Sequence, residues 1–189
     1  MAVGGCGSSA RPPSPPVRAG VGLAAAPAAG AFAWLRASPP PAGWHTARIA
    51  GGATLAYPPG WHELRGDRGT VSAAVFDAHG GYLGYLNLTP RQGAETSADW
   101  ARFRVRHNAG EGDRRVTPEG AATGLRFGAG RASCVRDAYS GSTGIRYVEI
   151  ACLIASARAS SVVVAAAPAV HWSAEQGVLK RAISAADAR

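Results

Sequence analysis

The residues of this chain best suited by type and placing to do chemistry are its three cysteines. Cys6 stands in Val3-Gly4-Gly5-Cys6-Gly7-Ser8-Ser9, a small-residue box ending in cysteine. That is the pattern at which lipid is attached to bacterial envelope proteins. Cys134 and Cys152 flank the turn Gly141-Ser142-Thr143-Gly144. A hairpin folded about Thr143 sets each of them nine residues from its centre, so the two sulfurs face each other across the ladder. A disulfide there closes a loop of about 18 residues and stabilises a domain by roughly 3 kcal/mol in the chain-entropy model. Two buried free thiols in a cytosolic domain are the other reading. The matched register and the amino-terminal box favour oxidation, and with it a compartment outside the cytoplasm.

Other chemistry finds little support. The five histidines (His45, His62, His79, His107, His171) are dispersed, with no paired spacing and no acid at a ligand spacing beside one. Gly141-Ser142-Thr143-Gly144 lacks the spacing of a nucleophile elbow and reads as a flexible turn. The acid pairs Glu63/Asp67 and Glu111/Asp113 would serve a glycosidase only across a cleft, and both fall in turn-like segments. No Gly-rich phosphate loop is present. Asn87-Leu88-Thr89 has the glycosylation spacing, but Pro90 follows and the composition is bacterial. No catalytic, metal-binding or cofactor-binding residue is assigned, and no cofactor is expected. Tyr82, Tyr85, Trp100 and Tyr139 remain as candidates for a binding surface. Tyr82 and Tyr85 have opposite strand parity, so in a regular strand one of them faces away from the core.

Composition separates a tail from a domain. The chain has 189 residues and a formal net charge of +8. Residues 1–43 carry Arg11, Arg18 and Arg36 and no acid, while the remainder has seventeen basic and twelve acidic side chains. Nineteen of the twenty basic residues are arginine, with Lys180 the exception, and they are scattered. A nucleic-acid partner asks for a basic face interleaved with aromatics, so none is expected. The tail runs through Arg11-Pro12-Pro13-Ser14-Pro15-Pro16, an Ala-rich stretch and Ser38-Pro39-Pro40-Pro41. It reads as a disordered low-complexity linker. The stretch 21–35 is too short and too weakly apolar to span a bilayer. Three readings of the start fit these residues. The recorded Met1 lies downstream of a full lipoprotein signal ending at Cys6; Cys6 is an ordinary tail cysteine; or Arg18, the 21–35 stretch and Ala31-Phe32-Ala33 form a signal and cleavage site.

From Trp44 onward the pattern is that of a folded domain, 44–189. Short strands are expected at 44–49 and 53–57 around Gly51-Gly52, closed by Pro58-Pro59-Gly60, with Trp61 turned back onto the sheet. Strands 71–77 and 82–88 meet at His79-Gly80-Gly81. A helix is expected over 96–108, capped by Thr96 or Ser97, with Ala98, Trp100, Phe103 and His107 inward and Arg102 and Arg106 outward. Strands follow at 122–127, 132–139, 145–155 and 160–167, the last Val-rich and central. A helix over 173–186 closes the chain, with Ser173 and Gln176 at capping-box spacing. The order implies an α+β fold, a largely antiparallel sheet with helices packed on it.

The run Ala53-Thr54-Leu55-Ala56-Tyr57-Pro58-Pro59-Gly60-Trp61 resembles the opening of PsbP-like domains, where a strand ends in an aromatic-Pro-x-Gly-Trp corner. Trp100-Ala101-Arg102-Phe103 on a helix after the second hairpin and an amphipathic closing helix extend the resemblance over residues 47–186. It resembles the α/β/α sandwich found in many small lipoproteins of high-GC Gram-positive bacteria. The resemblance implies a binding or assembly module with no shared catalytic site. The expected protein is therefore a non-enzymatic, membrane-anchored domain of the cell envelope. Lipid on Cys6 would be its anchor, and Arg102 and Arg106 a candidate surface for a protein partner. A secreted hydrolase whose site forms only in the fold is the alternative, and a cytosolic nucleic-acid binder is a third.

Overall fold

The computed structural model describes residues 30–157 and 159–187, so Cys6 lies outside the described part. Strands β1 (His45–Arg48) and β2 (Thr54–Tyr57) pair antiparallel in a small sheet of their own. The main sheet contains β3 (His62–Leu64), β4 (Val71–Phe76), β5 (Tyr82–Pro90), β6 (Arg114–Phe127), β7 (Gly130–Ser140), β8 (Arg146–Ala155) and β9 (Ser160–Pro168). Helix α1 (Trp100–Gly110) links β5 to β6, and α2 (Trp172–Ala185) follows β9. The order across the sheet is β3-β4-β5-β9-β8-β7-β6, and every neighbouring pair is antiparallel. The fold is thus the expected α+β arrangement. β9 takes the middle position, as its unbroken apolar run requires of a strand buried on both faces.

Strand alternation divides the core. Leu86, Leu88, Cys134, Ile150, Cys152, Val163 and Ala165 point to one face, where they meet Leu179, Ala182 and Ile183 of α2 and Leu55 and Tyr57 of β2. Val135, Ala151, Leu153, Val162 and Val164 point to the other, where Trp100 of α1 covers them. The sheet therefore has a thick apolar layer on one side and a thinner one on the other. The Trp61 ring belongs to the thick layer and is 8% exposed. It lies on Gly84, where an added Cβ would come within 2.8 Å of the ring. The Pro58-Pro59-Gly60 corner, with Gly60 at φ +85°, turns the chain so that this contact forms.

Several boundaries differ from expectation for physical reasons. β6 runs from Arg114, eight residues earlier than expected, through Pro118 and Gly120. It is an edge strand, where a missing N–H is tolerated, and its pairing with β7 is interrupted by three register shifts. α1 starts at Trp100; Thr96 Oγ1 instead accepts the Asp99 N–H at 3.1 Å and caps the turn before the helix. α2 starts one residue early, at Trp172, so Ser173 is inside the helix and makes no side-chain cap. Burial of the Trp172 ring sets that start. The domain also reaches back across the boundary expected at residue 43. Phe32 and Leu35 are 3% and 6% exposed in the main core, and Ser38 N–H donates to the Ser184 carbonyl at 2.9 Å. Phe32 and Leu35, with Trp34 packed beside them, draw an otherwise Ala/Pro-rich segment onto the sheet.

Replacing Trp61 with Ala removes a buried indole from a site that its neighbour Gly84 cannot refill. Chemical denaturation should show a loss of about 3–5 kcal/mol. A loss below about 1 kcal/mol would show that the ring contributes little to the core.

Candidate functional site

The thin side of the sheet holds a cluster of buried charge. Asp137 of β7 and Glu149 of β8 are direct cross-strand partners, 0% and 1% exposed. Arg104 lies over them from α1, its Nε donating to Glu149 Oε1 at 2.6 Å and its Nη2 to Oε2 at 2.8 Å. Asn108, one turn on, points its Nδ2 at Asp137 Oδ2 and Glu149 Oε1, 3.5 Å from each. Tyr139 places its hydroxyl 3.5 Å from Glu149 Oε2. Asp137 Oδ1 is buried without a hydrogen-bond partner.

The electrostatics follow from that geometry. Two carboxyls share one guanidinium in a site cut off from water. Burial, and then the neighbouring Glu149, push the Asp137 carboxyl up to about 8. Burial alone would lower the Arg104 guanidinium; Glu149, with Asp137 and Tyr139, outweighs it and raises it. The Tyr139 phenol is raised by burial and by Glu149. Asp113, on the loop after α1, is raised by partial burial and by Glu149. Glu149 is thus ion-paired to Arg104, and Asp137 beside them holds its proton well above the usual carboxylate range. A neutral acid also suits an oxygen that has no donor. A carboxyl with a raised pKa beside an ionised one is the pairing used in general acid chemistry. Here both are closed off by the sheet and by α1.

Beside this cluster runs a line of aromatic rings. Phe76 and Tyr82 are 4.8 Å apart, Tyr82 and Tyr85 meet edge-on at 6.3 Å, and Tyr139 stacks on Tyr147 at 5.7 Å. One of Tyr82 and Tyr85 is exposed as expected, Tyr82, but a β-bulge and not strand parity decides it. Val75 pairs with Gly84 but Phe76 pairs with Tyr82, so Leu83 is the extra residue and both tyrosines reach one face. Tyr82 is 41% exposed and Trp100 1%, with Trp100 Nε1 donating to the Ala151 carbonyl at 2.8 Å. Trp100 is therefore a core residue. At the opposite end of the sheet, Pro39, Pro40, Phe127, Ile154 and Ala186 line an apolar groove of about 750 Å³. Among the described residues its only titratable wall residue is Asp187.

The structure places the other expected residues as follows. Cys134 and Cys152 are joined by a disulfide with a Cα–Cα distance of 4.1 Å, in the register expected. Arg102 and Arg106 lie outward on α1, their side chains 71% and 62% exposed. Both pair with Asp99, at 2.8 and 3.5 Å, so the face is less basic than the two arginines alone would make it. Glu63 accepts the Tyr57 hydroxyl at 3.3 Å, and Asp67 lies in an exposed turn. Among the described residues no three metal-ligating side chains converge.

No family model matches the chain, and no curated protein does either. Solved structures do. Cyanobacterial PsbP (CyanoP) from Synechocystis is 13% identical over 79% of this chain and 94% of that one, with a TM-score of 0.59. The fold is PsbP-like. A protein from Bacteroides thetaiotaomicron matches at 13% identity and a TM-score of 0.47 over 72% of this chain, which spans 45% of that protein. LpqN, involved in cell envelope biogenesis of Mycobacterium tuberculosis, matches at 15% identity and a TM-score of 0.42, over 76% of this chain and 88% of its own. The PsbP likeness is one of fold.

The charge cluster makes a pH prediction. Asp137 binds its proton more tightly folded, near 8, than in an unfolded chain, near 4. The unfolded state therefore binds fewer protons between those values, and stability falls as pH rises from about 4 to about 8. Asp137→Asn should flatten that slope and raise stability at pH 8 relative to the parent by more than ~1 kcal/mol. Denaturant midpoints across this range test it; parallel profiles for the two proteins would refute it.

Proposed function

We propose that the chain is a non-enzymatic binding or assembly domain of the bacterial cell envelope, held at a membrane through lipid on Cys6. The observation that carries the compartment is the Cys134–Cys152 disulfide, which lies in the main core with both cysteines at most 1% exposed. Such bonds persist in oxidising compartments. The PsbP-like fold and the Gly5-Cys6-Gly7-Ser8-Ser9 box support the same reading. The non-enzymatic part is supported by where the acids are. Asp137 and Glu149 lie under α1, and their partners Arg104 and Asn108 hold the helix down. They act on the fold and not on a substrate.

Burial of Phe32 bears on where a leader could be cleaved. Cleavage after Ala33 would remove Phe32, a buried core residue, from the domain it packs into. The 30–43 segment therefore fits a mature chain better than a discarded leader. Attachment at Cys6 keeps it.

Two experiments test the reading. In protein isolated unreduced from its own envelope, mass spectrometry should find the Cys134 and Cys152 peptides linked, and Cys6→Ser should move the protein from high-salt-washed membranes to the soluble fraction. Alkylatable thiols at both positions, or an unmoved Cys6→Ser protein, would refute the compartment and the anchor respectively. For a protein partner, Arg102 and Arg106 on α1 are the proposed contact. Arg102→Glu with Arg106→Glu should change stability by less than ~1 kcal/mol, because exposed pairs contribute little, while removing a co-purifying partner. An unchanged partner list would exclude this face.

A further inference from the structure

Among the described residues, the large apolar side chains left exposed are three, and all stand at one end of the main sheet. Tyr82 opens β5 and is 41% exposed; Ile145 ends the β7–β8 turn at 46%; Val170 lies between β9 and α2 at 82%. Their turns adjoin. The Ala169 N–H donates to the Arg146 carbonyl at 2.8 Å, Tyr147 pairs with Pro168, and Tyr85, three residues into β5 from Tyr82, pairs with Ala166.

The charge around two of these tips has one sign. Residues 138–148 and 164–174 contain no acid. Arg114, Ser140 and Arg146 stand in one row across β6, β7 and β8, and both arginines are exposed. Of the acids at this end, Asp77 spends its carboxylate on its own turn, accepting the His79 and Gly81 N–H groups at 2.7 and 2.9 Å. Asp113 is partly buried on the α1 side, where exposed Glu111 stands near it, and Glu175 lies half-buried in the first turn of α2.

We infer that this end of the sheet docks on an anionic bilayer surface. Tyr82, Ile145 and Val170 enter the interface, and Arg114 and Arg146 meet lipid phosphates. Three features favour a bilayer over a protein. The apolar residues are separate tips on separate turns, whereas a protein interface wants a contiguous buried centre. On the β7–β8 turn the apolar tip is followed at once by a cation, Ile145 by Arg146, which sets hydrocarbon below and charge at the phosphate plane. A tyrosine at the rim matches the depth of the headgroups. The inference rests on the envelope location proposed above but not on acylation of Cys6.

The test uses the full chain carrying Cys6→Ser, which has no lipid, sedimented with vesicles of phosphatidylcholine alone or mixed with phosphatidylglycerol. Binding should appear with the mixed vesicles and weaken with salt. Ile145→Ser with Val170→Ser should cut partitioning at least tenfold, and Arg146→Ser about fivefold, the share of one arginine near an anionic surface. Ala129→Ser, exposed at the opposite end of the sheet, is the charge-neutral control and should bind as the parent does. The substituted positions are exposed, and unchanged circular dichroism confirms folding. No binding to the mixed vesicles, or equal binding by the Ile145/Val170 variant, would overturn the inference. So would an Ile145/Val170-dependent complex with a soluble protein when vesicles stay unbound. If Cys6→Ser releases the protein in cells while vesicle binding is absent, the envelope reading stands and this one falls.

Discussion

The register of β7 against β8 is the constraint on which the rest of the molecule depends. The turn between them fixes Cys134 opposite Cys152 and, three residues along, Asp137 opposite Glu149. Because side chains alternate, an offset of three puts the two pairs on opposite faces. One ladder thus places a covalent link under α2 and a charged pair under α1. A slip of one residue would move the cysteines toward α1 and the acids into the apolar layer, where an unpaired carboxylate is costly. The disulfide excludes that slip by direct linkage.

The two faces are held by different physics. Beneath α2 the contacts are aliphatic and aromatic: Leu86, Leu88, Ile150, Val163, Leu179 and Ile183. Such burial is strong and non-directional. Beneath α1 the apolar layer is small, and the orientation of the helix comes from directional bonds. Trp100 Nε1 reaches the Ala151 carbonyl, and Arg104 forks onto both oxygens of Glu149. Trp100, Arg104 and Asn108 lie one turn apart, so a single stripe of the helix carries all of these contacts. A rotation of α1 about its axis would break them together.

Much of the fold was legible because its signals are local. The Gly51-Gly52 and His79-Gly80-Gly81 turns, the Val-rich β9 and the stripe through Val178, Leu179, Ala182 and Ile183 each follow from period and turn chemistry. The disulfide was legible from symmetry about Thr143. The charge cluster was open to the same count, since Asp137 and Glu149 each stand six residues from Thr143. The signal on α1 was Arg104 and Asn108 filling the positions between Trp100, Phe103 and His107. Reading the stripe by hydropathy alone left those polar members out. What could not be read were features that depend on neighbours distant in sequence. They include the Leu83 bulge, the survival of Pro118 in an edge strand, and the seating of Phe32 and Leu35 on a sheet formed far downstream.

The 30–43 segment shows how composition and packing can disagree. Its prolines and alanines offer little area to bury, and by average it is a linker. The average hides three large apolar residues, Phe32, Trp34 and Leu35, within four positions. Phe32 and Trp34 meet at 6.2 Å, the Trp34 indole N–H donates to the Ala31 carbonyl at 3.0 Å, and Lys180 of α2 lies over the Trp34 ring. Ala31 stands beside Gly120 and Ala37 beside Gly128, both on the β6 side of the sheet. β6 is the edge strand that its three register shifts leave least regular. An irregular edge with small residues is one against which another segment can lie closely without pairing as a strand. The segment is thus placed by a few side chains and by the shape of the edge that receives it, and its proline content keeps it from adding an eighth strand there.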